Sequence, residues 1–123
     1  MKKLLVIAAF IVIGYKVLTI HEAPSGKLDP LYPEPYIVVY GRKTCGNTMH
    51  LQTELRNKGL RYHYVDVDAQ GASEALYQRM EKAGLSSASF TLPVVEVNAR
   101  MSTNPRTEWV VGNYHVDHTG RKR

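Results

Sequence analysis

The sequence predicts a small mixed α/β sandwich with the element order β-α-β-α-β-β. Three observations lead there. Tyr36 to Tyr40 (Tyr-Ile-Val-Val-Tyr) is a β-branched and aromatic run that ends at Gly41, the pattern of a buried strand. Tyr62 to Asp68 alternates, with His63, Val65 and Val67 on one side and Tyr64, Asp66 and Asp68 on the other, the pattern of a second strand. Between the two lies a stretch with helical spacing, and a strand–helix–strand crossover requires a parallel pair with the helix laid over the sheet.

The first helix is expected over Gly46 to Lys58, where Leu51 and Leu55 share a face and Gly59 supplies a stop. A second helix is expected over Ser73 to Ala83, with Ser73 as N-cap, Glu74 in the first turn and Leu76, Met80 and Ala83 turned inward. Leu92 to Asn98 reads as a third strand and Trp109 to Gly112 as a fourth. Asn98 to Thr107, which contains Asn104-Pro105, reads as a long loop in an antiparallel hairpin.

At 123 residues the chain has room for one domain. Its 44% hydrophobic and 22% charged content is ordinary for a globular protein. The division is 1–20, 21–35, 36–117 and 118–123: a targeting segment, a Pro-rich linker, the domain and a basic tail. Lys2 and Lys3 precede an apolar stretch from Leu4 to Ile20, with Lys16 near its far end. An uncleaved signal anchor is the favoured reading, because the stretch nearly reaches the length of a membrane-spanning helix and no clean Ala-x-Ala cleavage site follows. A cleaved signal peptide is the alternative, which would leave a secreted or periplasmic domain. The two lysines would stay in the cytoplasm and place the domain across the membrane, in the periplasm if the cell is Gram-negative.

The net charge of +5 does not mark a nucleic-acid binder. From Pro24 to Gly120 ten basic side chains balance ten acidic ones, so the excess lies at the two ends and makes no stripe on the domain.

Cys45 is the sole cysteine, so neither an internal disulfide nor a multi-cysteine zinc site can form. It falls between the first strand and the first helix. Unpaired N–H groups at a helix start favour an anion, and Arg42, Lys43 and the Thr48 hydroxyl add to that preference. An ordinary thiol is only about 3% ionised at pH 7, whereas a pKa about two units lower leaves it about three-quarters ionised. A buried structural cysteine is the alternative, but the polar neighbours do not read as core.

These residues resemble the glutaredoxin family. Tyr40 to Thr48 (Tyr-Gly-Arg-Lys-Thr-Cys-Gly-Asn-Thr) looks like the family's strand, cation, Thr-Cys and helix start. Tyr64 to Asp68 is similar to its second strand, and Thr91 to Val95 (Thr-Leu-Pro-Val-Val) to its Thr-Val-Pro signature. The resemblance spans about Tyr36 to Asp117 and implies a thioredoxin-like fold, with Leu92 and a cis Pro93 flanking Cys45 and with glutathione as co-substrate. It further implies that Arg42 orients a glutathione carboxylate and that Leu92 pairs with the ligand's backbone. Gly112-Asn113 would stand in for a Gly-Gly turn at the γ-glutamyl end, with His115 where an acid is usual. Thr48 replaces the second cysteine of Cys-Pro-Tyr-Cys, which leaves a monothiol route resolved by a second small thiol. The chain shares Cys-Gly, but not the rest, with the Cys-Gly-Phe-Ser of iron–sulfur carriers. Almost no sequence is left for the family's third helix.

His115, Asp117 and His118 read as a solvated tail and His50 as a surface residue, so no metal is expected. The leading expectation is a membrane-tethered monothiol oxidoreductase acting on a disulfide-containing protein or small thiol. Catalysis would fall to Cys45 and Thr48, and binding to Arg42, Lys43, Leu92, Pro93, Gly112 and Asn113. A non-enzymatic interaction module is the alternative, and a glutathione-ligated iron–sulfur carrier the third reading.

Overall fold

The computed structural model describes residues 28–116. Strand β1 is Ile37–Gly41, helix α1 Gly46–Asn57, strand β2 His63–Asp66 and helix α2 Ala72–Lys82. Strand β3 is Val94–Val97, strand β4 Arg100–Thr103 and helix α3 Thr107–Tyr114. The sheet order is β2-β1-β3-β4. β1 runs parallel to β2 (Val38 opposite His63) and antiparallel to β3 (Tyr40 opposite Val94), and β4 returns antiparallel beside β3. The arrangement is a thioredoxin-like α/β core.

Period-two alternation splits the apolar residues of β1 between two layers. Ile37 and Val39 pack with Leu51 and Leu55 of α1 and with Val95, Val97 and Val110, on the face that carries α1 and α3. Tyr36, Val38 and Tyr40 pack with Val67, Val94, and Leu76 and Met80 of α2 on the opposite face. β2 is divided the same way: Val65 and Val67 go to the α2 layer, Tyr62 and Tyr64 to the α1 layer. α1 ends as its sequence predicts. Gly59 takes φ 70° and the Leu60 N–H closes on the Leu55 carbonyl at 3.0 Å.

Four expectations need correction. The fourth strand is Arg100–Thr103, not Trp109 to Gly112. Asn98 and Ala99 both adopt positive φ (50° and 67°), which makes a two-residue turn with Val97 opposite Arg100, so the long hairpin loop does not exist. Trp109 to Gly112 lies inside α3, and the third helix thought to lack sequence is present with 8 residues. A four-residue apolar run carries no period that separates strand from helix. Here the turn at Asn104-Pro105 starts a helix that drops Val110 into the core. Finally, the N-cap of α2 is Gly71, and the Ser73 hydroxyl instead donates to the Val67 carbonyl at 2.7 Å.

The three helices all start at one pole of the sheet and end at the other. Near the second pole, residues 28–35 pack on the domain. Leu28 is buried, and the Tyr32 ring stacks on His63 at 4.6 Å and meets Tyr36 edge-on at 5.3 Å. The apolar stretch 4–20 and the tail 118–123 lie outside the described residues. Among the described residues no helix is long and apolar enough to cross a membrane.

Candidate functional site

β1 ends at Gly41, and a tight turn carries the chain to Cys45, whose N–H donates to the Arg42 carbonyl at 3.1 Å. Cys45 is the N-cap of α1, with extended backbone (φ −90°, ψ 117°), and its carbonyl accepts from the Met49 N–H at 3.1 Å. The half-exposed sulfur therefore sits over the unpaired N–H groups of the helix's first turn.

Thr48, one turn into the helix, is fully buried against Gly41. A Cβ at position 41 would fall 2.9 Å from the Thr48 Cβ and closer still to its Oγ1 and Cγ2, so only glycine admits this approach. The Thr48 hydroxyl has no hydrogen-bond partner among the described residues. Its proton is committed to no oxygen and is free to turn toward the Cys45 sulfur once that sulfur is an anion. The Cys45 thiol is accordingly held below its ordinary pKa. The Thr48 hydroxyl is the leading cause, followed by the Thr48 N–H. Burial opposes them, and the Asn47 N–H and the Arg42 charge add less.

Across from the sulfur stands the Leu92–Pro93 bond, which is cis. The Cys45 thiol donates a long hydrogen bond, 3.9 Å, to the Leu92 carbonyl. The chain reaches this place because β3 runs antiparallel to β1, which sets the residues before Val94 beside the end of β1 at Tyr40. The Pro93 carbonyl in turn accepts the Asn104 N–H at 2.6 Å, tying the loop before α3 to the same corner. A cleft of about 290 Å³ opens beside Leu92, between Arg42 and the edge-on pair Tyr77 and Phe90.

Of the residues singled out from sequence, Cys45, Thr48, Leu92 and Pro93 meet, and Arg42 borders the cleft. Arg42 is drawn aside by Asp68, whose carboxylate its Nε contacts at 3.0 and 3.1 Å, leaving the terminal nitrogens without a partner among the described residues. Lys43 is exposed and is not among the groups that stabilise the thiolate. Gly112 and Asn113 do not form a turn after a strand. They lie in the last turns of α3, where the Asn113 side chain donates to the Trp109 carbonyl at 2.8 Å.

Two participants escaped the sequence reading. Asp68 was placed only as a strand residue, and nothing local announces its pairing with Arg42. Asn104, with φ 43°, was noted only as part of a loop, although Asn-Pro is itself a turn signal. Among the described residues no cluster of three or more His, Cys, Asp or Glu side chains is disposed to hold a metal ion.

A family model for glutaredoxin matches residues 37–101, from the start of β1 into β4. No curated protein matches the chain. The matched segment covers more than half of the 123 residues and contains both Cys45 and the cis Leu92–Pro93 bond facing it, so the chain belongs to the glutaredoxin family.

Proposed function

We propose that this chain is a monothiol thiol–disulfide oxidoreductase, tethered to a membrane by residues 4–20, that acts on mixed disulfides between a protein and glutathione or a similar small thiol. The observation that carries this reading is the position of Cys45, at the N-cap of α1 and facing Leu92.

The Cys45 thiolate attacks the glutathione sulfur of the mixed disulfide. A new S–S bond joins Cys45 to glutathione, the old one breaks, and the protein leaves as a thiolate that takes a proton from water. The thiolate of a second glutathione then attacks the glutathione sulfur held on Cys45. Oxidised glutathione departs and Cys45 is again a thiolate. No second cysteine in this sequence competes for the intermediate.

Arg42 presents its terminal nitrogens to a carboxylate of the small thiol, and Asp68 holds the guanidinium from its Nε side. Leu92 offers its backbone to the ligand, and Pro93 shapes the wall behind it. The γ-glutamyl contact is not carried by Gly112 and Asn113, which are helical.

Turnover of a glutathionylated peptide in excess glutathione, with Cys45→Ser beside the unsubstituted protein, tests the proposal. Loss of turnover to the uncatalysed rate is expected, and retained turnover overturns the mechanism. A non-enzymatic interaction module would show no such turnover in either protein.

A further inference from the structure

The pole opposite Cys45 carries a concavity of about 680 Å³ lined in part by Leu60, Tyr62, His63 and Tyr114 and by the exposed Arg56 and Arg61. Arg56, Lys58 and Arg61 follow one another at the end of α1 and are all exposed. Arg56 lies in the last helical turn, where a cation complements the carbonyl ends. Lys58 and Arg61 lie at or beyond the cap, and neither side chain forms an ion pair or hydrogen bond among the described residues. Glu34 is the one acid lining the concavity among them. Cations beside tyrosines are the composition that suits an anionic lipid interface.

Both ends of the described chain lie at this pole. On the N-terminal side, the Leu31 N–H donates to the Tyr36 hydroxyl at 3.2 Å and Tyr32 stacks on His63, the first residue of β2. On the C-terminal side, the Asn98 amide donates to the carbonyls of Asn113, Tyr114 and Val116, which fixes the end of α3 beside the β3–β4 turn. Seven residues separate Ile20, the end of the apolar stretch, from Leu28, so across these eight steps the two are no more than about 28 Å apart even if fully extended.

We infer that this pole is a docking face for an anionic lipid surface, so that the domain lies against the bilayer with the basic end of α1 on the headgroups and Cys45 turned to the aqueous side. The inference rests on the proposed membrane tether and on no step of the thiol chemistry. A tether this short keeps the face at high local concentration over the headgroups, so weak contacts suffice. Attraction of about fivefold in partitioning per basic residue is the scale expected, and it is screened by salt. The Cys45 pole then meets disulfides carried in water or on extended protein domains.

The test uses the full chain reconstituted in vesicles of phosphatidylcholine alone and of phosphatidylcholine with phosphatidylglycerol. Hydrogen exchange is followed at residues 56–63. At least threefold slower exchange is expected in the anionic vesicles only, reversed by high salt and by the pair Lys58→Glu and Arg61→Glu. Alkylation of Cys45 should proceed at one rate throughout. Equal exchange in the two vesicles overturns the inference, as does slowing that survives the double substitution. Failure of the chain to enter either vesicle removes the tether and the inference with it. Protection that appears without lipid and grows with protein concentration would assign the face to a second copy of the chain and overturn the lipid reading. Absent Cys45 turnover with slowed exchange would end the enzymatic proposal and leave the docking face standing.

Discussion

The sulfur of Cys45 lies 3.9 Å from the backbone oxygen of Leu92, the residue that enters the cis-proline bond. The two are forty-seven positions apart in sequence, and three features bring them together: the parallel β1–β2 crossover, the helix α2 that follows it, and the antiparallel return of β3. The reactive group and the wall that faces it are thus attached to neighbouring central strands. Only the short turn Arg42–Thr44 on one side and Pro93 on the other stand between these strands and the site.

Thr48 is the first residue to probe. Its hydroxyl leads the stabilisation of the thiolate, so Thr48→Val should raise the Cys45 pKa toward the ordinary thiol range. A thiol reacts as its deprotonated form, so the rise of alkylation rate with pH should move to higher pH. At pH 6.5 the rate with iodoacetamide should fall about three- to tenfold, while Thr48→Ser, which keeps the hydroxyl, should stay near the unsubstituted rate. Equal loss in both variants would assign the effect to packing and remove the hydroxyl's role.

Gly41 controls the same hydroxyl from beneath. The Cβ of Gly41→Ala collides with the Thr48 side chain, and both residues are buried, one on the sheet and one on α1. Either α1 lifts or Thr48 rotates. Overpacking of this kind costs about 1–3 kcal/mol. The variant should therefore lose stability in denaturant titration and also raise the Cys45 pKa, two effects that Thr48→Val separates. A Gly41→Ala protein with unchanged thiol reactivity would show that the helix start moves as a unit with its sulfur.

Much of this site was legible before any coordinates. The β-branched run into Gly41 and the polar residues around Cys45 placed the sulfur between a strand and a helix, because both signals are local. The alternation of Tyr62 to Asp68 correctly divided its side chains between two apolar layers. What stayed hidden was long-range. Glu96 looks like an ordinary strand glutamate, yet it is fully buried, held by Arg79 from α2 at 2.6 and 2.8 Å and by the Tyr36 hydroxyl. Arg42 looks like a free ligand-binding cation until Asp68 is seen beside it. The last helix reads as a strand in sequence because four apolar residues have no period, and the true fourth strand gives no signal because Asn98-Ala99 turns without a glycine.

Asn98 ties three elements together. Its Oδ1 accepts the Tyr36 N–H at 2.9 Å, and its Nδ2 donates to the carbonyls of Asn113, Tyr114 and Val116 at 2.7–3.1 Å. The Tyr114 carbonyl is an end group of α3, the Asn113 carbonyl also accepts the Val116 N–H at 3.2 Å, and Val116 lies just beyond the helix. Asn98→Gly keeps the backbone conformation, which has φ 50°, and deletes these bonds. A loss of about 2–4 kcal/mol is expected, since buried groups are left unpaired. Asn98→Asp should be at least as damaging, because it turns a carboxylate oxygen toward three carbonyls. Near-neutral behaviour of Asn98→Gly in urea would mean that α3 is secured by the packing of Trp109, Val110 and Tyr114.

Two buried tyrosines beside Glu96 give the fold an alkaline limit. Tyr36 and Tyr40 are each pushed up to about 12, mainly by burial; Tyr36 also donates to Glu96, whose negative charge lies close to Tyr40. A tyrosine whose pKa is higher in the fold than in the unfolded chain binds its proton longer when folded. Its contribution is therefore fully present below about pH 10, where both states are neutral, and is lost as pH rises toward about 12. Within that window the unfolded state binds fewer protons, so stability falls by up to about 1.4 kcal/mol per pH unit for each tyrosine. Denaturation midpoints measured between pH 8 and 11.5 should hold steady and then decline. Tyr40→Phe, which removes one ionising group and no hydrogen bond seen in the structure, should make the slope shallower. An unchanged slope in that variant would place the alkaline transition elsewhere than beneath α2.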